Sequence, residues 1–401
     1  MQLQICLVGA NGPDAVGGLA SYLRGLALEL SKTNSVSVVA RFNHADNLVP
    51  MYTSMEPAHV INHDDYQVHI IAPAKCWQPV LHHLVSLVAR PCLQPLARWL
   101  YCRAYCISLN KAIPKTADVV HYVGNGWEML GFAALDEARR RGAVFTLWPA
   151  VHPGTWGDSS LDILLYNMAD VVFVQSEFER NYLIRLGVNP MRLYSCGLAP
   201  SSPPTGNAAS FRKRHCLDNR LLILFIGRKD RGKGYHALRD AMAAVLADFP
   251  TACLISVGPD REPPYPPLPS GTVLDLGQAD EAEKADALAA CDVFCLPSIH
   301  ESFGIVYVEA WSYGKPVIGG LAPAVQELIT PDENGYCVEQ DKDAIAAALI
   351  RLLGDPELRQ RQGAAGQRLQ QERFTWSAVL KVHQEAFQSA LVARRRQAEV
   401  T

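Results

Sequence analysis

Glu301 and Glu309 stand on either side of seven residues in the stretch Pro297-Ser298-Ile299-His300-Glu301-Ser302-Phe303-Gly304-Ile305-Val306-Tyr307-Val308-Glu309-Ala310. The apolar run Val293 to Leu296 ahead of it reads as a buried strand. A helix is predicted behind it, stopped by Gly314-Lys315-Pro316. Ser302 is a natural cap for that helix, which leaves the backbone N–H groups of Phe303 and Gly304 to meet a phosphate or polar ligand group. Glu301 then sits in the loop at the helix mouth. Glu309 falls about two turns after Ser302, roughly 10 Å along the axis, with its side chain leaning back toward the start. Carboxylates so placed converge on opposite ends of one elongated polar ligand. Either acid alone would pass for an ordinary surface residue; the whole string carries the signal.

Three further clusters have chemical types at strand ends. The apolar run Leu221 to Ile226 leads into Gly227-Arg228-Lys229-Asp230-Arg231-Gly232-Lys233-Gly234, where four cations crowd one loop and suggest an anion to neutralise; a solvated basic turn is the plainer alternative. Ala143 to Leu147 reads as a strand that delivers Trp148-Pro149-Ala150-Val151-His152-Pro153-Gly154 at its carboxyl end, where ligand crevices of open α/β sheets lie. A first strand, Gln4 to Val8, runs into a Gly-rich turn containing Gly17-Gly18 and then a helix with Leu19, Tyr22, Leu23, Leu26 and Leu30 on one stripe. Such a turn lets backbone approach a ligand closely, or serves tight packing, and it lacks the glycine spacing of a dinucleotide fingerprint.

Together these strings resemble the retaining glycosyltransferases of the GT-B fold, most closely glycosyltransferase family 4. The resemblance rests on the E-x7-E string with its flanking Pro297-Ser298 and Ser302-Phe303-Gly304, on Arg228 with Lys233 five residues later, and on Gly17-Gly18 followed by Leu26-Ala27-Leu28-Glu29-Leu30. It implies that Glu301, Ser302, Phe303 and Gly304 hold a donor sugar and Glu309 the ribose hydroxyls. Arg228 and Lys233 would hold the donor diphosphate. His152 would face the reacting carbon, with His121 in reserve. Gly17 and Gly18 would approach the donor phosphates or the acceptor, and Gly258 and Gly277 would lie along the donor, the turn at Gly277 lining the base pocket. Many relatives carry Asp after that histidine where this chain has Pro153.

The elements that must position these residues follow from the rest of the chain. Its 401 residues suffice for two domains, with 49% hydrophobic and 19% charged residues as in ordinary globular proteins. Short apolar runs alternate with helical stretches, the pattern of a parallel sheet wound with helices. The expected architecture is α/β: two Rossmann-like, doubly wound parallel-sheet domains facing a cleft. Residues 1–200 would form an acceptor-side domain and residues 201–375 a nucleotide-sugar-binding domain. Residues 376–401 would form a helix crossing back to the first. A turn-rich hinge is expected between about residues 197 and 210. Ser176 with Glu179 reads as a capping box, and the Pro-rich 262–269 stretch as a stiff loop.

Net charge −3 argues against a nucleic-acid partner. No Asp-x-Asp or other metal set is evident, so neither a metal nor a cofactor is expected beyond the donor substrate. The cysteines, including the pairs Cys102/Cys106 and Cys291/Cys295, read as reduced and mostly packed. No 18-residue apolar run or signal-type start is present, and a cytoplasmic protein is expected. Residues 74–110 mix Arg, Trp, Tyr, Leu and Val. An ordinary helical pair capping the first domain is the preferred reading, and peripheral contact with the inner membrane face stays open. The expected activity is metal-independent transfer, with retention, of a hexosyl unit from a UDP- or GDP-linked sugar to a hydroxyl of a sugar, lipid-linked or small-molecule acceptor. The alternatives are a silent nucleotide-sugar-binding subunit and a GT-B nucleotide-sugar epimerase. Base, sugar, acceptor and oligomeric state are not written in the sequence.

Overall fold

The computed structural model describes residues 2–15, 17–43, 52–53, 56–200 and 205–400. The chain forms two compact units, Met1–Gly197 with Trp376–Thr401, and Leu198–Thr375. Ser201 to Pro204 of the expected hinge, and Val16 of the Gly-rich turn, lie outside the described residues.

The first unit begins β1 (Gln4–Asn11), α1 (Gly18–Ser31), β2 (Ser35–Phe42), β3 (His59–Asn62) and β4 (Gln67–Ile70). It continues α2 (Gln78–His82), α3 (Leu84–Val88), α4 (Gln94–Ala112), β5 (Val119–Val123), α5 (Leu130–Arg141) and β6 (Val144–Trp148). Then come α6 (Ser160–Met168), β7 (Val171–Val174), α7 (Glu177–Arg185) and β8 (Leu193–Ser195). The strands stack in the order β3-β4-β2-β1-β5-β6-β7-β8, parallel except for the antiparallel β3–β4 pair at the edge. Strand β1 pairs with β2 on one side and β5 on the other, so the winding reverses between β1 and β5. Central strands such as Ile5–Val8 and Val144–Trp148 are buried on both faces, which is why they read as unbroken apolar runs.

The second unit contains α8 (Ala208–Arg214), β9 (Leu222–Ile226), α9 (Tyr235–Asp248), β10 (Cys253–Val257), β11 (Val273–Asp275), α10 (Glu281–Ala290) and β12 (Val293–Leu296). It continues α11 (Ile305–Ser312), β13 (Val317–Gly319), α12 (Pro323–Leu328), β14 (Gly335–Cys337), α13 (Lys342–Gly354) and α14 (Pro356–Arg373). Its sheet is wholly parallel, ordered β11-β10-β9-β12-β13-β14. Here the winding reverses between β9 and β12.

The last helix, α15 (Trp376–Val400), packs into the first unit. Val379, His383 and Phe387, one per turn, are buried. The His383 ring stacks on Phe173 with centroids 3.9 Å apart, and its Nε2 lies 3.0 Å from the Tyr22 hydroxyl. Tyr22 in turn stacks on Trp148 at 4.0 Å. Burial pushes His383 down to about 4, so it stays neutral through the physiological range. Residues 74–110 hold three helices rather than the expected pair. Pro91 breaks α3 from α4 through a short 3₁₀ turn, Pro91–Leu93. All eleven cysteines are free, and Cys6, Cys253 and Cys295 are buried in strands. Among the described residues no helix is long and apolar enough to cross a membrane.

The start of α15 is seated against α1 at Gly25. A Cβ at that position would meet the Trp376 ring at 2.1 Å. Gly25→Ala should therefore lower stability by about 1–3 kcal/mol despite the better helix propensity of alanine. Urea unfolding followed by tryptophan fluorescence measures it. An unchanged or higher midpoint would show that the Trp376 seat does not fix α15.

Candidate functional site

In the second unit, the reversal of winding places two loops side by side at the carboxyl ends of β9 and β12. The first carries Arg228 and Lys233, the second Glu301 to Gly304. Lys233 Nζ donates to Glu301 Oε1 at 2.6 Å and to the His300 carbonyl at 3.2 Å. An ammonium has three donors, so one remains for a ligand. Arg228 is 61% exposed at its side chain, with Nε 3.2 Å from Asp230.

The other cations of this loop divide. Lys229 is turned inward, with a side chain only 1% exposed. It pairs with Asp275 at the end of β11 and, at 3.3 Å, with Asp260. Its charge is spent on holding the loops after β9, β10 and β11 together, so the expected four-cation anion cluster contracts to the exposed Arg228 and Arg231 with Lys233 beside them. Tyr265 of the Pro-rich stretch donates to the Lys229 carbonyl at 3.0 Å, and the Pro266 carbonyl accepts from Arg239 at 2.8 Å. The stretch is thereby fastened to its own unit.

The mouth of α11 differs from expectation. Ser302 does not cap it. The N-cap is Gly304, with φ 88°, a left-handed conformation that glycine adopts without penalty, and no side chain caps the end. The helix therefore starts two residues later than predicted, and Glu309 lies on its second turn, about 6 Å past Ile305 at 1.5 Å per residue. Phe303 is buried and meets Phe374 edge-on at 5.6 Å. Among the described residues the backbone N–H groups of Ser302, Phe303 and Gly304 donate to no protein acceptor.

Glu309 Oε1 accepts from Lys284 of α10 at 3.1 Å. Its Oε2 is buried with no hydrogen-bond partner among the described residues. Burial raises the Glu309 carboxyl, and Lys284 opposes that shift. Lys284 also pairs with Glu281 at 3.0 Å. These residues and Tyr313 border a cavity of about 210 Å³. Lys284 had no signal in the sequence beyond its place on a helix. Gly258 and Gly277 meet each other: the Gly258 N–H donates to the Gly277 carbonyl at 2.6 Å. A Cβ on Gly258 would stand 2.0 Å from the Gly227 carbonyl, so close backbone approach accounts for that glycine.

In the first unit, Gly17 and Gly18 open α1, and a Cβ at either would meet nothing within 4 Å among the described residues. Tight packing explains neither. His152 follows β6 in a turn closed by its own N–H to the Trp156 carbonyl at 2.8 Å. His121, the reserve histidine, lies in the core. Its Nδ1 is 2.8 Å from Thr146 Oγ1, its ring packs near Phe173 and His383, and burial drives it far toward the neutral form. It cannot meet a ligand there.

Glu179, read from sequence as half of a capping box, completes only one side of it, because its carboxylate takes other N–H groups than that of Ser176. Ser176 Oγ accepts from the Glu179 N–H at 3.1 Å, while the carboxylate accepts from Gln175 N at 2.6 Å and from Val151 N at 2.8 Å. Thus a side chain on α7 clamps the residue immediately before His152. The long-range contact with Val151 leaves no local pattern.

Residues 208–369 match the family described as glycosyl transferases group 1. A phosphatidyl-myo-inositol mannosyltransferase of Mycobacterium leprae is 39% identical over 163 residues, 39% of this chain and 43% of that protein. A GDP-mannose-dependent monoacylated alpha-(1-6)-phosphatidylinositol monomannoside mannosyltransferase of Corynebacterium glutamicum is 34% identical over 188 residues, 44% of this chain and 49% of that one. The matches thus span less than half the length of these curated relatives. Sucrose-phosphate synthase from Thermosynechococcus elongatus superposes with TM-score 0.70 at 21% identity, covering 99% of this chain and 100% of that one. Anabaena HepE, solved with UDP-glucose, gives TM-score 0.69 at 16% identity over 97% and 99% of the two chains. The fold class is GT-B, two Rossmann-like α/β domains. The similarity to the glycosyl transferases group 1 family is carried by the second unit, residues 208–369.

The clamp on the His152 loop titrates. Burial lifts Glu179 from 4.5 up to about 7. The folded state then binds this proton more tightly than the unfolded chain, so the contribution to stability is full below pH 4.5 and is lost as pH rises through about 7. Glu179→Gln should remove that component: the difference in melting temperature between the two proteins should change steadily across this window and level off above it. A difference independent of pH would show that Glu179 has an ordinary affinity for its proton.

Proposed function

We propose that this protein is a glycosyltransferase that moves a hexosyl unit from a nucleotide-diphosphate sugar to an acceptor hydroxyl, with retention of anomeric configuration and without a metal. The observation that carries the reading is the cation–carboxylate pair across the switch point of the second unit, Lys233 with Glu301, beside the exposed Arg228 and the open N–H groups of Ser302 to Gly304. Glycosyl transfer needs little else. The diphosphate gains charge as its bond to the sugar breaks, and preorganised cations and N–H dipoles lower the energy of that charge. Lys233 and Arg228 supply the cations. Glu301, neutralised by Lys233, accepts hydrogen bonds from sugar hydroxyls. The unpartnered Oε2 of Glu309 suits a ribose hydroxyl, which would donate to it. The role at the reacting carbon of the sugar is assigned to His152. The acceptor hydroxyl attacks the face the diphosphate leaves, and the departing phosphate takes its proton.

The phosphate charge is assigned to the two cations, Lys233 and Arg228. The names of the mannosyltransferase relatives and of the UDP-glucose complex support a UDP- or GDP-linked hexose as donor and a sugar or glycolipid as acceptor.

A panel of UDP- and GDP-hexoses with inositol-, sugar- and lipid-linked acceptors tests the proposal. Release of nucleoside diphosphate should require acceptor, and proton NMR of the product should show the anomeric configuration of the donor. Lys233→Ala should lower kcat/KM by about 10²–10³-fold. Glu309→Gln should act mainly on the donor KM. Full turnover in Lys233→Ala and Glu301→Gln would remove this site from the reaction. Donor isomerised without acceptor would replace transfer with epimerisation.

A further inference from the structure

In the first unit a groove of about 560 Å³ is lined by residues of α4 and α5 and by Met168, the last residue of α6. Residues at helical spacing on α4 face residues at helical spacing on α5, so two stripes of side chains form its walls. Four arginines line it, Arg98 and Arg103 from α4 and Arg139 and Arg140 from α5, against one acid, Asp136.

The balance of charge is uneven. Arg140 is neutralised by the buried Glu137, which also takes Arg141 at 2.5 Å. Among the described residues no carboxylate lies within salt-bridge distance of Arg98, Arg103 or Arg139. Burial, and after it the nearby Asp136 carboxylate, raise the proton affinity of the Cys102 thiol. Two of the unpaired guanidiniums are nonetheless held in place. Arg98 lies over the Phe132 ring at 5.2 Å with Nη1 4.0 Å from the Met168 sulfur, and Arg139 donates to the Met168 carbonyl at 3.5 Å. Like charges from opposite helices are thus drawn to the same residue, an arrangement that repels itself until an anion arrives. Its setting is a chain of net charge −3. Beside the arginines Trp99 stands 57% exposed and offers an apolar face on the same wall.

We propose that this groove is a binding site for a phosphate-bearing organic anion, distinct from the donor site. Guanidiniums suit it because their planar forks match phosphate oxygens two at a time, and Trp99 suits the organic part next to the phosphate. The phosphate comes either from a free phosphate ester or from a lipid headgroup. The site lies wholly within the first unit and does not depend on the glycosyltransferase reading.

Calorimetry with inorganic pyrophosphate tests it in Lys233→Ala protein, where binding in the second unit is weakened. Saturable binding is expected. Charge reversal at two exposed positions, Arg103→Glu with Arg139→Glu, should weaken it at least tenfold with the melting curve unchanged. The pair Arg103→Lys with Arg139→Lys should retain part of it. No binding in Lys233→Ala protein, or equal binding in the charge-reversed protein, would overturn the proposal. Flotation with phosphatidylcholine vesicles, alone and with phosphatidylinositol added, assigns the source. Binding only to the phosphatidylinositol vesicles, displaced by pyrophosphate, indicates a headgroup. Pyrophosphate binding with no vesicle binding indicates a free ester. Vesicle binding that survives charge reversal counts against the groove.

Discussion

Lys233 and Glu301 are 68 residues apart in the chain and 2.6 Å apart in space. The sheet order alone brings this about. Strand β9 is followed by β10 and β11 on one side, and β12 then returns to its other side, so the loops after β9 and β12 diverge from neighbouring strands and leave a crevice between them. Right-handed crossovers keep both loops at the same end of a parallel sheet. The charge pair is then a consequence of topology, and it sits where neither partner is fully desolvated. Full burial would have imposed a penalty that the pair alone could not offset. The inner cation, Lys229, faces that penalty and meets it with two carboxylates, Asp260 and Asp275. One loop therefore carries a structural cation beneath and functional cations above.

What the sequence made legible was local. The apolar strands, the E-x7-E string and the Arg228–Lys233 spacing are each contained within a few residues, and the fold class followed from the alternation of strands and helices. What escaped was non-local or depended on backbone conformation. Nothing near Lys229 reveals that its partners lie beyond β10, so it looked like one more member of a basic turn. Ser302 has the side chain of a cap, but the positive φ of Gly304 lets the helix begin later, with Phe303 packed inward as an anchor. His121 looked eligible because a strand end and a strand interior are distinguished by one or two residues. Its register against Thr146 puts it inside.

The two units solve the problem of shaping a ligand-facing loop by different physics. The second uses ion pairs between loops. The first uses single buried carboxylates that accept from backbone N–H groups. Glu128 takes Asn125 N at 3.2 Å and the Tyr122 hydroxyl at 2.6 Å, Asp162 takes Trp127 N at 2.8 Å and Ser159 N at 2.9 Å, and Glu179 takes Gln175 N and Val151 N. Burial raises the proton affinity of all three. Their hydrogen bonds oppose that rise, because each N–H favours the charged form. The loops after β5, β6 and β7 are thus tied by buried carboxylate acceptors. A carboxylate accepts N–H groups through two oxygens, whereas a side-chain amide offers one oxygen and turns an NH₂ donor toward the other N–H. That geometric capacity, rather than charge, explains why acids occupy three buried positions where apolar residues would pack at lower desolvation cost.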